Sequence, residues 1–375
     1  MIQNINLKSF VLPDVSHYKV YGRTAAETYP LPLFWNGSAI EVNVTGTELW
    51  IDIEVDFDAF EPWIGIAIDG AFISRQMLLP GSYSLCLFRN MPKETVKNVC
   101  FFRELQAMSV DAGCHLLIRG FQSDGEFLPV PGKALKLEFI GDSITSGEGT
   151  YGPKGEQPWV SMFMSASRNY ATLTAKALQA DCRLISQGGW GVLCGWDNNP
   201  HHNLPSCYEK ICGLAEGEIN RKLGAQKPNP FDNWQPDAII VNLGTNDCNA
   251  FSQPEWHNPD TGEMFGLHKD EYDAFCPEDI IRFQKAVIDF LYILRKHNPS
   301  AKIVWVYGML GHDLSCYIKD AVEAFRGETS DRNVTFLELP DTAEEDIGCR
   351  FHPGVHAHEK AAEILSEYLR EVLKR

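Results

Sequence analysis

The first third of the chain is dominated by short apolar or alternating runs at the two-residue period of β-strands. These runs are AIEVNV (39–44), ELWIDIEV (48–55), IGIAID (64–69), SYSLCLF (82–88) and CHLLIRGF (114–121). Turn dipeptides such as Asn36-Gly37 and Asp69-Gly70 separate them. Strands at this spacing, without helical periodicity, predict a β-sandwich of the jelly-roll type.

The pattern changes after the short linker LPVPGK (128–133). Apolar, β-branched runs of the parallel-strand type now alternate with amphipathic helical stretches. The strand-like runs are LKLEFIG (135–141), CRLIS (182–186), DAIIVNLG (237–244), AKIVWVYG (301–308) and NVTFLEL (333–339), and the helical stretches are 169–180, 277–297, 315–328 and 356–375. This order predicts a flavodoxin-like, doubly wound, three-layer α/β/α domain. We therefore expect an α/β protein with a β-sandwich domain at 1–133 and an α/β domain at 134–375.

Charge and cysteine content narrow the range of partners. The formal net charge of −17 argues against nucleic acid and against an anionic membrane surface, so a neutral small molecule or neutral polymer is the expected ligand.

No run approaches the roughly 18 apolar residues of a membrane span. The first thirty residues lack the apolar core of a signal peptide. Eleven cysteines without Cys-x-x-Cys pairs indicate reduced thiols, so a cytoplasmic location is expected. The oligomeric state is not predicted.

Four polar motifs follow the ends of predicted strands, where sites form in doubly wound sheets. Ser143 in LEFIGDSITSGEG (137–149) is either a helix N-cap or a nucleophile presented by a strand-to-helix turn. The glycine-rich ISQGGWGV (185–192) is either an ordinary turn or the source of a backbone N–H for an oxyanion. In NLGTND (242–247), the Asn246 amide is a further candidate donor, and Asp247 is expected to brace the turn.

The fourth motif, FHPGVHAHEKAAEIL (351–365), offers His352 as a candidate general base. Pro353 favours an extended conformation for His352, off the following helix. His356 and His358 are expected to be exposed or to face substrate, with His356 the stronger candidate. The three histidines lack a carboxylate at metal-ligand spacing, so neither a metal nor another cofactor is predicted.

Together the four blocks resemble those of the SGNH (GDSL-type) hydrolases. Over nearly the whole chain the sequence resembles the family-2 carbohydrate esterases, in which a jelly-roll domain precedes the hydrolase domain. VYGRT (20–24), VTGTEL (44–49), IAIDG (66–70) and GFQSDGEFLPVP (120–131) fall where that family has them. The resemblance implies a serine esterase that deacetylates plant-polysaccharide sugars.

The resemblance also assigns roles to individual residues. It makes Ser143 the nucleophile, His352 the base, and the Ser143 N–H, Asn246 and Gly191 the oxyanion donors, with Gly189 as the fallback. Trp190 is a candidate sugar contact or a structural side chain, and Asp142 is a further candidate substrate contact. The expected partner is an acetylated oligosaccharide.

One departure from the family pattern concerns the residue that orients His352. The family places Asp two or three residues before the histidine, where this chain has Arg350 and Cys349. The leading hypothesis is a Ser–His dyad whose histidine is held by a backbone carbonyl; Asp346 or Glu345 folding back is the alternative. Two rival functions remain open: an SGNH esterase, lipase or thioesterase acting on a non-carbohydrate ester, and a non-catalytic carbohydrate-binding protein.

Overall fold

The alternating pattern is realised as strands in the computed structural model, which describes residues 7–25 and 28–373. Contacts between Cα atoms divide the chain into two units. One unit contains the chain up to Gly132 together with Val160–Met162 and Lys210–Asn229. The other contains Lys133–Trp159, Phe163–Glu209 and the chain from Pro230. The predicted domain boundary at 133/134 stays a prediction. Two short segments beyond that boundary, Val160–Met162 and Lys210–Asn229, group with the first unit.

The first unit is a β-sandwich built from two antiparallel sheets. Its strands are β1 Lys8–Val11, β2 Lys19–Tyr21, β3 Leu31–Pro32, β4 Ala39–Val44, β5 Leu49–Asp56, β6 Trp63–Ile68, β7 Ala71–Met77, β8 Gly81–Phe88, β9 Lys97–Arg103, β10 His115–Ser123 and β11 Phe127–Leu128. One sheet has the order β1-β10-β5-β8 with β3 on β10, and the other has the order β11-β4-β9-β6-β7 with β2 on β4. Alternate residues such as Val42, Val44, Ile51 and Ile53 form its apolar core, so the predicted sandwich is confirmed.

The segment Lys210–Asn229 belongs to this first unit because side chains of the sandwich bind its backbone. Trp35 Nε1 donates to the carbonyl of Ile211 at 2.8 Å, and both groups are buried. Asn220 lies on the helix Glu218–Lys222 and donates to the carbonyl of Cys114 at 3.2 Å. Buried backbone carbonyls need such partners, which fixes the segment in place.

The second unit contains a five-stranded parallel sheet with helices. Its strands are β12 Lys136–Gly141, β13 Asp181–Ser186, β14 Ala238–Asn242, β17 Lys302–Met309 and β18 Val334–Asp341, with the hairpin strands β15 Trp256–His257 and β16 Met264–Phe265. In chain order the helices of the protein are α1 Ser143–Ser146, α2 Tyr170–Ala177, α3 Pro205–Tyr208, α4 Glu218–Lys222 (in the first unit), α5 Thr245–Ala250, α6 Pro277–His297, α7 Ser315–Thr329 and α8 Val355–Val372. Short 3-10 helices span Leu12–Asp14, Ser161–Phe163, Phe231–Asn233 and Glu344–Asp346.

The strand order of this sheet is β13-β12-β14-β17-β18, with all pairs parallel. This is the predicted doubly wound arrangement, and the chain reverses direction across the sheet between β12 and β14. Ligands bind doubly wound sheets outside the carboxyl ends of the strands at that point. The residues after β12 and β14 are those of the GDSITSG and NLGTND motifs.

Within the part of the chain that the structure describes, no helix has both the length and the apolar character needed to cross a bilayer.

Candidate active site

Ser143 lies in a sharp turn between the central strand β12 and the short helix α1. Asp142 caps this helix, because its Oδ1 accepts the backbone N–H of Ile144 at 2.9 Å. Gly141 ends the strand where a Cβ would lie 2.1 Å from Thr145 Oγ1, so a larger residue does not fit without rearrangement. The local sequence therefore holds Ser143 at the carboxyl edge of the sheet.

Asn246 lies beside this turn, near the start of α5. Its Nδ2 donates to the carbonyl of Trp190 at 3.0 Å and to Asp142 Oδ2 at 3.3 Å. Asp142 is fully buried, and this burial raises its pKa to about 7, although the hydrogen bond from Ile144 N–H opposes the rise. The amide of Asn246 is thus held next to the residue that precedes Ser143.

Asp247 braces the glycine-rich turn, as the sequence predicted. Its carboxylate accepts the backbone N–H groups of Val192 at 2.9 Å, Leu193 at 2.7 Å and Cys194 at 3.1 Å. Burial raises the pKa of Asp247, although the three donors oppose that rise. This carboxylate satisfies a backbone that would otherwise have buried, unpaired N–H groups.

The structure contradicts the predicted role of Gly191 as an oxyanion donor. Its backbone N–H donates to the carbonyl of His202 at 3.2 Å and is therefore already used. A Cβ at Gly191 would lie 2.3 Å from Asp247 Oδ2, so glycine is needed there for close packing. Gly189 lines the cleft described below and has φ of +80°. Within the described residues its N–H has no acceptor, so Gly189 replaces Gly191 as the candidate donor.

His352 lies on the loop before α8, and its ring reaches Ser143. Nε2 is 2.9 Å from Ser143 Oγ, and Nδ1 is 2.9 Å from the carbonyl oxygen of Arg350. These are the two contacts that the dyad hypothesis requires. Asp346 Oδ2 pairs instead with Lys360 Nζ at 2.5 Å, so the structure does not support Asp346 as the carboxylate that orients His352. This lysine also lowers the pKa of Asp346.

A buried carboxylate, that of Glu148, also lies near His352 Nε2. Glu148 Oε2 is 3.9 Å from His352 Nε2, and Glu148 Oε1 accepts Arg350 Nε at 2.7 Å. Arg350 Nη1 also donates to the carbonyl of Gln157 at 2.8 Å. Arg350, at the usual position of the family's Asp, therefore connects the histidine loop to the segment that follows α1.

The Ser143–His352 pair opens into a cleft of about 490 Å³. Its wall combines the dyad with polar side chains and two aromatic ones. The lining residues outside the dyad include Glu148, Trp159, Gly188, Gly189, Trp196, Asn246, Asn249, Ser252 and Gln253. Trp196 is 50% exposed, so its ring is available to a ligand. Ser252 and Gln253 lie just after the end of α5.

Two residues predicted to touch substrate do not line this cleft. Asp142 is fully buried and serves as the cap of α1, so it cannot contact a ligand. The Trp190 ring stacks on the His202 ring, with 5.1 Å between centroids and 17° between planes. Its carbonyl, rather than its ring, takes part in the site by accepting Asn246 Nδ2.

The two histidines on α8 also lie outside the cleft. His356 is exposed, its Nδ1 is 3.0 Å from Glu359 Oε2, and it is not among the residues that line the cleft. His358 is buried rather than exposed, and its Nδ1 accepts the backbone N–H of Tyr170 at 3.1 Å. Burial lowers the pKa of His358 to about 3. No group of three or more His, Cys, Asp or Glu side chains among residues 7–25 and 28–373 is arranged to hold a metal.

Sequence reasoning missed Glu148, Trp159 and Trp196 as members of the site. Glu148 stands in the GDSITSGEG motif, and Trp196 lies only four residues after the glycine-rich block. Their proximity to recognised motifs was the available signal. What the sequence could not supply was the direction in which each side chain points.

Chemically, a serine hydroxyl that contacts an imidazole Nε2, beside an amide and an unpaired backbone N–H, is equipped for acyl transfer. On this fold, that combination defines a serine hydrolase of the SGNH class. The family described as GDSL-like lipase/acylhydrolase matches residues 139–360. The chain belongs to this family, and the predicted superfamily, fold class and ester-hydrolase class are confirmed.

Solved structures extend the match to the whole chain. An acetyl xylan esterase from the rumen bacterium Butyrivibrio proteoclasticus has 53% identity and a TM-score of 0.96, covering 98% of this chain and 99% of its own. A family two carbohydrate esterase from Clostridium thermocellum, solved with cellohexaose, has 23% identity and a TM-score of 0.78 over 95% of this chain and 99% of its own, which supports the fold alone.

An acetylxylan esterase / glucomannan deacetylase from Cellvibrio japonicus is 30% identical over 260 residues, which are 67% of this chain and 64% of that protein. The chain spans between 37% and 64% of the length of the curated relatives it matches.

Proposed function

We propose that this protein is a serine carbohydrate O-acetylesterase that removes acetyl groups from sugars derived from xylan or mannan. The observation that carries the proposal is the 2.9 Å contact between His352 Nε2 and Ser143 Oγ at the base of an open cleft. The likeness to an acetyl xylan esterase over 98% of the chain supports the substrate class. The acetylated oligosaccharide is the expected ligand.

In the proposed reaction, His352 Nε2 accepts the Ser143 proton while Oγ attacks the ester carbonyl. The resulting imidazolium then protonates the sugar oxygen as its bond to the carbonyl carbon breaks, so the sugar leaves as an alcohol and an acetyl group remains esterified to Ser143. Water repeats both steps, with the same histidine as base and then acid, and releases acetic acid. The Arg350 carbonyl accepts a hydrogen bond from Nδ1–H throughout and keeps the ring in the required tautomer.

The oxyanion of each tetrahedral intermediate is proposed to bind the Ser143 N–H, the Gly189 N–H and Asn246 Nδ2. Ser143 begins α1, and the first N–H groups of a helix have no intrahelical partner. The long contact of Asn246 Nδ2 with Asp142, at 3.3 Å, is the one that a developing oxyanion replaces most readily.

Sugar binding is assigned to Trp196 and Trp159 in the wall of the cleft. An indole face stacks on the apolar face of a pyranose and buries a large area with little loss of entropy. The polar side chains of Ser252, Gln253 and Asn249 lie in the same wall and supply hydrogen-bond groups for hydroxyls.

Residues 1–133 and 134–375 are proposed as the two domains, with Val160–Met162 and Lys210–Asn229 packing as part of the first. A cytoplasmic location is proposed because all eleven cysteines are free and lie within the described residues. Oligosaccharides imported into the cell are then the expected substrates.

The test is acetate release from acetylated xylo- and manno-oligosaccharides, with p-nitrophenyl acetate as a simple ester. Wild type should release acetate from the sugars, and Ser143→Ala should lose at least about 10⁴-fold in kcat while keeping its unfolding midpoint. Turnover of the simple ester alone would favour an esterase, lipase or thioesterase for another acyl compound. Sugar binding without any turnover would favour a non-catalytic binding protein.

A further inference from the structure

We propose that Glu148 and Arg350 together balance the charge that forms on His352, a task that other serine hydrolases give to the carboxylate of a triad. Both are positioning residues that act through His352. The inference rests on the proposed function, because it concerns the imidazolium formed when Ser143 loses its proton.

A triad carboxylate does two things for its histidine: it orients the ring and it stabilises the imidazolium. In this protein the first task belongs to the Arg350 carbonyl, 2.9 Å from His352 Nδ1. A neutral carbonyl carries no net charge, so the positive charge on the ring needs a compensating group elsewhere.

Glu148 is the carboxylate placed to provide that charge. Its Oε2 lies 3.9 Å from His352 Nε2, and its side chain is only 5% exposed. The distance is too long for a hydrogen bond, so Nε2 keeps its contact with Ser143 Oγ. It is short enough for a carboxylate to favour the charged imidazolium.

Arg350 holds Glu148 at this distance. Its Nε donates to Glu148 Oε1 at 2.7 Å, and its Nη1 donates to the Gln157 carbonyl at 2.8 Å. Its backbone N–H donates to the Gly155 carbonyl at 2.7 Å. A carboxylate without this partner would be able to move toward Nε2 and compete with Ser143 for it.

The backbone fixes the spacing of the three groups. Arg350 and Phe351 both have φ of +57°, a conformation that non-glycine residues adopt at a cost. Cys349 N–H donates to the Gly149 carbonyl at 3.2 Å, and a Cβ at Gly149 would lie 2.6 Å from His352 Cβ. The residue after Glu148 therefore packs directly against the histidine loop.

Two other titratable side chains near the His352 ring are those of His358 and Asp142. His358 on α8 is buried with its pKa lowered to about 3, so it stays neutral above pH 5. Asp142 beneath the serine turn is buried and interacts with Glu148 and Asp247. Because burial raises the pKa of Asp142 to about 7, the test must observe His352 itself rather than activity alone.

The experiment measures the titration of His352 by NMR in the full-length protein labelled at histidine Cε1, with the signal assigned from His352→Gln. In Glu148→Gln the midpoint should fall by about half a pH unit or more, because the imidazolium loses its counter-charge. In Arg350→Met it should rise by a similar amount, because Glu148 is left unneutralised. Glu345→Gln, which removes an exposed carboxylate nearby on the chain, should leave the midpoint in place.

Kinetics with p-nitrophenyl acetate complete the test. Glu148→Gln should lower kcat about tenfold with KM within about twofold, and the acidic limb of its pH profile should move with the NMR midpoint. If Arg350→Met does not fold, Arg350→Lys replaces it and should shift the midpoint in the same direction by less.

If the midpoints move in the same direction in both variants, or do not move, the charge-balancing role is overturned. Glu148 and Arg350 would then only order the histidine loop. If the midpoints of the two variants shift in opposite directions but the wild-type protein releases no acetate, the proposed function is wrong and the charge-balancing role stands.

Discussion

The turn that carries Ser143 and the loop that carries His352 are held by different kinds of interaction. The turn lies inside the fold, where Thr145 bonds Tyr170 at 2.9 Å and Ser146 bonds Ser186 at 3.0 Å between buried side chains. The histidine loop lies at the surface, and its Phe351 is 60% exposed. Its conformation depends on backbone bonds and on the ion pair of Arg350.

This difference indicates what a substitution on each side of the dyad changes. Removing a buried partner from the serine turn leaves unpaired polar groups, and such losses are costly for stability. Removing one partner of the Arg350–Glu148 pair is also costly, because the Glu148 side chain is only 5% exposed. It also changes the charge beside His352, which a substitution of Thr145 or Ser146 leaves in place.

Among changes near Ser143 that leave the nucleophile in place, Asn246→Ala should reduce activity most. Loss of one oxyanion donor should lower kcat for acetyl esters about 10²–10³-fold with little change in KM. Steady-state kinetics measure the loss, and thermal unfolding checks the fold. A decrease of less than tenfold would exclude Asn246 from the oxyanion site.

The histidine side can be broken sterically with Gly149→Ala. The new Cβ would lie 2.6 Å from His352 Cβ, so the ring must move away from Ser143. Activity should fall by about 10²-fold, the effect of an ångström-scale misplacement of a reacting group.

The matched control for Gly149→Ala is Gly262→Ala, which also places alanine at positive φ but has open space around its Cβ. Its unfolding midpoint should fall less than that of Gly149→Ala, because it shares the backbone strain but not the clash, and its activity should be kept. Equal activity in the two variants would show that Gly149 does not position His352.

The buried serine side should also give stability a pH dependence through Asp142. Burial raises its pKa from 3.8 to about 7, so between these values the folded protein keeps a proton that the unfolded chain has lost. Its contribution to stability therefore falls as pH rises from about 4 to about 7. Asp142→Asn should remove this decline, a difference on the order of a few kcal/mol across that range.

Denaturant unfolding of wild type and Asp142→Asn at several pH values measures the difference. Other groups act in both proteins and cancel, including His358, whose lowered pKa makes stability fall toward acid pH. A difference between the two proteins that stays constant from pH 4 to 8 would contradict the raised pKa.

The smallest effect is expected from Asp346→Ala. Asp346 pairs with Lys360, a side chain that is 59% exposed, and has no contact with His352. Acetylesterase activity should stay within about twofold, because the pair of Asp346 with Lys360 does not include either residue of the dyad. If Asp346→Ala lost tenfold in activity and Lys360→Ala did not, Asp346 would act as a carboxylate partner of His352.

Much of the fold was predictable because it follows from local periodicity. The strand Ala39–Val44 and the helix Pro277–His297 have the predicted bounds. The strand β9, Lys97–Arg103, was missed because it includes a buried lysine. Lys97 Nζ donates to the carbonyls of Gly46 and Pro92, and no hydropathy pattern reveals such partners.

The site was predictable to the level of its motifs. Ser143, Asn246 and His352 follow the ends of parallel strands, and the fold brings such ends together. Gly191 was chosen over Gly189 by its distance from the strand end, which carries no information on which N–H is already bonded. The two alternatives for Trp190 stayed open for the same reason, since spacing does not show that its ring stacks on His202 while the Trp196 ring is half exposed.

The sequence by itself determined most of the order of strands and helices, the turn that carries Ser143, and the class of chemistry. Each depends on residues within a few positions of one another. Only the tertiary structure decided that the Arg350 carbonyl orients His352 and that Glu148, 202 residues from Arg350 along the chain, bonds its guanidinium. Hydrogen bonds and charge interactions depend on distance and burial in space, and spacing along a chain does not specify either.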